Sequence, residues 1–359
     1  MVASPLVDVI IPIHDTTRPL HRPLGSLLRS GLDPSGEMRI TVVAHNVAAA
    51  DVRSALKPGL AAHVRFLECL DGLPSPAGPR TLALEHSDGR YISFVDSDDY
   101  HDDGALKDWV SRAERDSLDA VLPLQRHDTG ARIRTPPTRP WRTGDLHPVH
   151  DRLAYRTAPL ALLRRSAIER VEARFETGVR NGSDQIFALK LWFGDTRVRL
   201  ARGGPGYVVG SDAETRVTTQ SHPLESELRA TMKLFTNPWF LGLDESERLA
   251  VVVKFVRVQF MAGLAKRLRK PDWDDDSAEA AIEFLRAAAA ASAPFLDSVS
   301  MADARLCIAV LNREPAEALA KLVRTRSAFG TPATVLTPTP RTAFAVNAPL
   351  RFMIASLLH

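Results

Sequence analysis

Short apolar runs alternate with polar-faced stretches through the first third of the chain. "LVDVIIPI" (6–13) is rich in β-branched residues and ends beside Pro12, the pattern of a buried strand. Leu20, Leu24, Leu27 and Leu28 then recur at helical spacing, with Gly31 as a stop. "RITVVA" (39–44), "HVRFLEC" (63–69), "RYISFV" (90–95) and "LDAVLPL" (118–124) predict further strands. Between them "AADVRSAL" (49–56), "GPRTLALEHS" (78–87) and "GALKDWVSRAE" (104–114) predict helices, Pro79 falling in the first turn of the second. Such alternation over short connections predicts an α/β fold, a mostly parallel sheet covered by helices on both faces. Ligands of these sheets bind beyond the carboxyl ends of the strands.

The rhythm breaks over 125–155, where "TPPTRPWRTGDLHP" predicts a long surface loop. It resumes with "APLALLRRSAI" (158–168), a capped helix in "NGSDQIFALKLW" (181–192), then "VRLA" and "GYVVG". After about residue 220 helical spacing takes over: Leu249, Val252, Val253, Val256, Phe260 and Leu264 share one face. "SAEAAIEFLRAAAAA" and "EPAEALAKLVRT" predict two more helices, the second opening on a proline. Three regions are therefore expected: an α/β domain over 1–222, an all-helical domain over 223–328, and a Pro/Thr linker with a terminal apolar segment over 329–359. The last segment, "FAVNAPLRFMIASLLH", is interrupted by Asn347, Pro349 and Arg351. It could dock on the protein, on a second copy in a homo-oligomer, or peripherally on the inner face of a membrane; docking on the protein is the expectation.

Composition narrows the classes. The 46 basic and 43 acidic residues leave a net charge of +3, and no basic stripe marks a nucleic-acid surface. Cys69 and Cys307 stand far apart, without a CxxC pair or a His/Cys cluster along the sequence, which speaks against a zinc finger. Two reduced thiols in a cytoplasmic protein are expected rather than a disulfide. The start carries no charged leader, and no apolar run reaches the ~18–20 residues of a membrane span. GxGxxG after the first strand, GxxxxGK[ST], GxSxG and HExxH are all missing.

The candidate chemistry lies in "FVDSDDY", where an apolar strand ends on Asp96, Asp98 and Asp99. The plainer reading is a solvated turn whose carboxylate caps the next helix. Position favours another one. A hard divalent cation binds one or two carboxylates and completes its shell with phosphate oxygens, and an Asp-x-Asp pair at the ligand edge can do this.

"VDVIIPIHD", "GPRTLALEHSDGRYISFVDSDDY" and "GVRNGSDQIFALKLW", in that order, resemble family 2 glycosyltransferases of the GT-A fold, over roughly residues 5–215. The resemblance implies a nucleotide-sugar donor, a divalent cation (Mn or Mg), a carbohydrate or other hydroxyl acceptor, and inversion at the anomeric carbon. Pro12 and Asp15 would line the nucleotide pocket, and Arg80 would stand beside base and diphosphate. Asp96 would face ribose and metal, Asp98 would be the principal metal ligand, and Asp99 would support the loop. Asp184 matches the second member of a Glu-Asp pair and so resembles the catalytic base; the plain alternative is an acid that only caps its helix. In "SDAETRVTTQSH" (211–222), Asp212 and Arg216 are candidates for the diphosphate and His222 for a third metal ligand.

Two departures stand out. The family has an acid after the second strand that hydrogen-bonds uracil, but here Ala44, His45 and Asn46 occupy the stretch, so no carboxylate is expected there. Asn46 could offer an amide instead, and the donor could carry UDP, CDP, GDP or dTDP. Ser183 stands where the pair has Glu. Two competing readings are a non-catalytic nucleotide-sugar-binding module of the same fold and a sugar-1-phosphate nucleotidyltransferase. The latter usually opens with a Gly-rich basic loop that "PIHDTTRPLHRP" lacks.

Overall fold

The structure, a computed structural model, describes residues 4–210, 222–269 and 272–358. They form two compact units.

The first unit takes in residues up to 135, 142–146 and 156–219. Its elements run β1 (Val7–Ile13), α1 (His21–Leu28), β2 (Met38–His45), α2 (Ala49–Ser54), α3 (Pro58–Ala61), β3 (Val64–Cys69), α4 (Ala77–Glu85) and β4 (Tyr91–Phe94). Then come β5 (Tyr100–His101), α5 (Ala105–Arg115), β6 (Ala120–Pro123), β7 (Gln125–His127), β8 (Arg132–Ile133), β9 (Leu162–Arg164), α6 (Arg165–Arg170), α7 (Gln185–Phe193), β10 (Val198–Ala201) and β11 (Tyr207–Val209). A seven-stranded sheet has the order β10-β6-β9-β4-β1-β2-β3 and is parallel except at β9. This is the expected mostly parallel α/β sheet. The antiparallel β9 was not expected; it slots between β4 and β6, which are successive strands of this sheet in chain order. A second sheet, β5-β11-β7-β8, is built from strands of two or three residues, too short to leave a period in the sequence.

β1 is central, and Val7, Val9, Ile10 and Ile11 are fully buried. Its Asp8 is buried too, which is costly unless the charge is paired. Arg39 on β2 forks onto it at 2.6 and 2.8 Å, and the Gly89 amide donates to Oδ2 at 2.8 Å. Register then sets the ligand edge. Ile13 lies beside Ala44, His45 beside Cys69, and the Val95 amide donates to Ile10 O at 3.0 Å. The loops after β1, β2, β3 and β4 thus leave the sheet from the same edge.

The second unit holds residues 136–141, 147–155 and 220–359. Its helices are α8 (Leu224–Phe235), α9 (Pro238–Leu241), α10 (Glu245–Phe255), α11 (Met261–Leu268), α12 (Asp275–Ala291), α13 (Met301–Leu311), α14 (Ala316–Ser327), α15 (Pro332–Val335) and α16 (Pro349–Leu357). A π-helical stretch, Val256–Phe260, joins α10 to α11 and keeps the apolar face continuous, with Phe260 stacked on Phe284 of α12 at 4.8 Å. The expected surface loop is corrected here. Asp151, Leu153 and Ala154 are buried, because polar side chains satisfy the irregular backbone inside. Asp151 takes a bidentate contact from Arg139 and accepts the His147 amide, while Arg152 donates to Pro137 O. Residues 329–359 also group with this unit, and Tyr155 packs on Phe352 of α16 at 4.7 Å. No helix among the described residues is long and apolar enough to cross a membrane.

Candidate active site

The acidic stretch leaves β4 at the ligand edge, as its sequence position suggests. It is not a solvated turn. Ser97, Asp98 and Asp99 are nearly buried, and each carboxylate has its own cationic or hydrogen-bonding partners. Arg80 of α4 donates from Nη2 to Asp96 Oδ1 at 2.7 Å, and its guanidinium lies 5.8 Å from the centre of the Phe175 ring. Arg18 Nη1 stands 2.9 Å from Asp98 Oδ2, while Arg22 reaches the Asp98 carbonyl at 3.5 Å. Asp99 accepts from the Tyr207 hydroxyl at 2.7 Å and the Gly210 amide at 2.9 Å. Burial, with Asp96 nearby, pushes the Asp99 carboxyl up to about 7. Asp99 thus faces away from the edge and ties the loop to β11.

Gly210 is required for that closeness. A Cβ there would fall 2.1 Å from the Asp98 carbonyl oxygen. Tyr207 also accepts the Asp96 amide at 3.2 Å and packs against the buried ring of His101. Tyr207, Gly210, Phe175 and Arg18 are site residues that sequence reasoning missed. Their partners in the site lie ~80–110 residues away in sequence, pairings that no local pattern shows.

Pro12 is half-buried near the end of β1. Asp15 folds onto its own loop, accepting from the Thr17 amide at 2.9 Å and hydroxyl at 2.7 Å, and these bonds hold its carboxyl below the ordinary range. Asn46 has positive φ, 57°, and its amide is engaged in the loop after β3: Oδ1 accepts from Gly72 and Nδ2 donates to Leu73 O. The expectation of no carboxylate at the end of β2 is corrected by register. Asp71, just past β3, brings Oδ1 to 2.9 Å from His45 Nε2.

Asp184 is the N-cap residue of α7, and its side chain makes no capping hydrogen bond there. α7 is fixed to the core beneath β4, with Phe187 edge-on to Phe94 at 5.8 Å and stacked on Phe175 at 4.2 Å. Ser183 is buried. Asp212 and Arg216 lie outside the described residues. His222 belongs to the second unit, directly before α8, and its Nε2 is buried without a hydrogen-bond partner among the described residues.

The donor set at the edge is all oxygen, and the Asp98 carboxylate is paired with the Arg18 guanidinium. A hard divalent ion fits such a set. Arg80 adds a planar fork suited to phosphate oxygens, its Nε buried and without a hydrogen-bond partner among the described residues.

Comparison with known proteins fixes the class. Residues 8–172 match the family model "Glycosyl transferase family 2". They form a glycosyltransferase domain of that family, with the GT-A fold. Similar curated proteins are two poly(ribitol-phosphate) beta-N-acetylglucosaminyltransferases of Staphylococcus aureus. TarP is 22% identical over 58% of this chain and 64% of its own length, and TarS 24% over 70% and 44%. A poly(ribitol-phosphate) beta-glucosyltransferase of Bacillus spizizenii is 22% identical over 57% of this chain and 32% of its own length. The alignments thus span less than two thirds of these relatives. Among solved structures, residues 1–349 of S. aureus TarS superpose with a TM-score of 0.75 at 16% identity, covering 89% of this chain and 91% of that one.

Proposed function

We propose that this chain transfers a sugar, with inversion, from a nucleotide diphosphate donor to a hydroxyl of a polymeric acceptor. The observation that carries the reading is the pair Asp96–Asp98 at the carboxyl edge of β4, with Arg80 on one acid and Arg18 on the other. Asp98 and Asp96 would hold Mn or Mg, which supplies Lewis-acid stabilisation of the leaving diphosphate. Arg80 would fork onto that diphosphate, Pro12 and Asp15 would border the nucleotide, and Asp184 would take the acceptor proton. The positive end of the α7 dipole favours the ionised carboxylate a base needs. The similar TarS structure, a complex with UDP-GlcNAc, supports a uridine donor. The curated relatives named above support a polyol-phosphate polymer as acceptor.

The test is transfer of radiolabelled sugar from UDP-GlcNAc and UDP-glucose to poly(ribitol phosphate) with Mn2+. The expected outcome is turnover that falls by about 10²–10³ in Asp98→Ala, the scale of losing one transition-state stabiliser, and is lost in Asp184→Asn. UDP binding without turnover on any acceptor would favour the non-catalytic module instead.

A further inference from the structure

Sequence spacing offered no His/Cys cluster, but the parallel pairing of β2 and β3 makes one. His45 and Cys69 are register partners at the last positions of these strands, and Asp71 lies two residues on. Their ligand atoms, Nε2, Sγ and a carboxylate oxygen, all fall within 4.8 Å of one another. We propose that His45, Cys69 and Asp71 bind a borderline-soft divalent cation of the zinc class, separate from the all-oxygen site at Asp96 and Asp98.

Three observations carry it. The donors are one imidazole nitrogen, one sulfur and one carboxylate oxygen, a set suited to Zn2+ and poor for Mg2+. Three protein ligands leave a fourth tetrahedral position for water. Next, His45 Nε2 meets Asp71 Oδ1 at 2.9 Å and the Asn46 Nδ2 donor at 3.1 Å. One nitrogen cannot donate to the first and accept from the second together. A cation bound to the Nε2 lone pair and to the carboxylate replaces the Nε2–H···O bond, and the Asn46 amide keeps its bond to Leu73 O at 3.0 Å. Finally, the first turn of α4 lies directly against the cluster at Gly78. A Cβ there would lie 2.0 Å from Asp71 Oδ2 and 3.3 Å from Cys69 Sγ. Metal binding releases the thiol proton to solvent as the metal–sulfur bond forms.

The test is titration of the full chain with Co2+ in excess Mg2+, which occupies the oxygen site. The expected result is one equivalent bound with a near-ultraviolet sulfur-to-cobalt charge-transfer band. The band disappears in Cys69→Ser and persists in Cys307→Ser. His45→Gln and Asp71→Asn weaken binding by at least the ~10–100-fold that loss of an outer partner costs. In the unmutated chain, Zn2+ slows alkylation of Cys69 by iodoacetamide. A missing band, a band that survives Cys69→Ser, or alkylation indifferent to Zn2+ overturns the site. These readouts use no nucleotide, so the cation site and the donor reading fail separately.

Discussion

At Asp98 the Arg18 guanidinium already satisfies the carboxylate from 2.9 Å, in a pocket that leaves little of either side chain exposed. A cation arriving there competes with an arginine, not with water. Hydrogen bonds to charged groups contribute roughly 1.5–3 kcal/mol, so Arg18→Ala should tighten Mn2+ binding about tenfold in the absence of donor. Isothermal titration would read this directly, and weaker binding would show that Arg18 helps rather than competes. Asp99 gives a pH signature. Its carboxyl is raised to about 7, so the folded chain keeps a proton that the unfolded chain releases above its ordinary value, 3.8. Asp99 therefore stabilises the fold most below about pH 4, loses that contribution as pH rises toward 7, and changes nothing further above it. Asp99→Asn should flatten this part of a plot of Tm against pH; an unchanged slope would place the titration elsewhere.

Among the elements, β11 governs the site although it spans only Tyr207–Val209. Its Tyr207 hydroxyl and the following Gly210 amide hold Asp99, and the missing Cβ of Gly210 admits the Asp98 carbonyl. Gly210→Ala should displace the acidic loop, with transfer falling at least tenfold while circular dichroism stays unchanged. Wild-type kcat/KM in that variant would sink the idea. Elements of this size explain what was legible in sequence. β1, β2, β4 and α5 could be read because each buries several residues in a recognisable pattern. β5, β7, β8 and β11 could not, because two or three residues carry none. Asp96 and Asp98 were legible from one short motif. Asp71 and Cys69 beside His45 required the β2–β3 register, which no local pattern encodes. The stretch 125–155 misled because prolines and arginines suggest exposure, whereas Arg152 donates to the Pro137 and Val346 carbonyls and Arg139 to the buried Asp151 carboxylate.

At the scale of the molecule, one costly buried charge of the first unit lies away from the acidic loop. Asp8 is fully buried in the central strand and depends on Arg39 and the Gly89 amide. Removing one partner of a buried ion pair costs about 3–5 kcal/mol, so Arg39→Met should lower unfolding free energy by that much in urea. A loss under 1 kcal/mol would mean that water replaces the guanidinium. The joining of the two sheets of the first unit has a consequence for motion. Residues 96–99 hang from the large sheet, and Tyr100–His101 begin the small one, where His101 pairs with Tyr207. Asp102 closes the link by accepting the Gly206 amide at 2.8 Å. The acidic loop cannot fray without parting both sheets, so it is no independent lid. Its amides should exchange with deuterium only in the same cooperative opening that releases β11, leaving the site either wholly assembled or wholly absent.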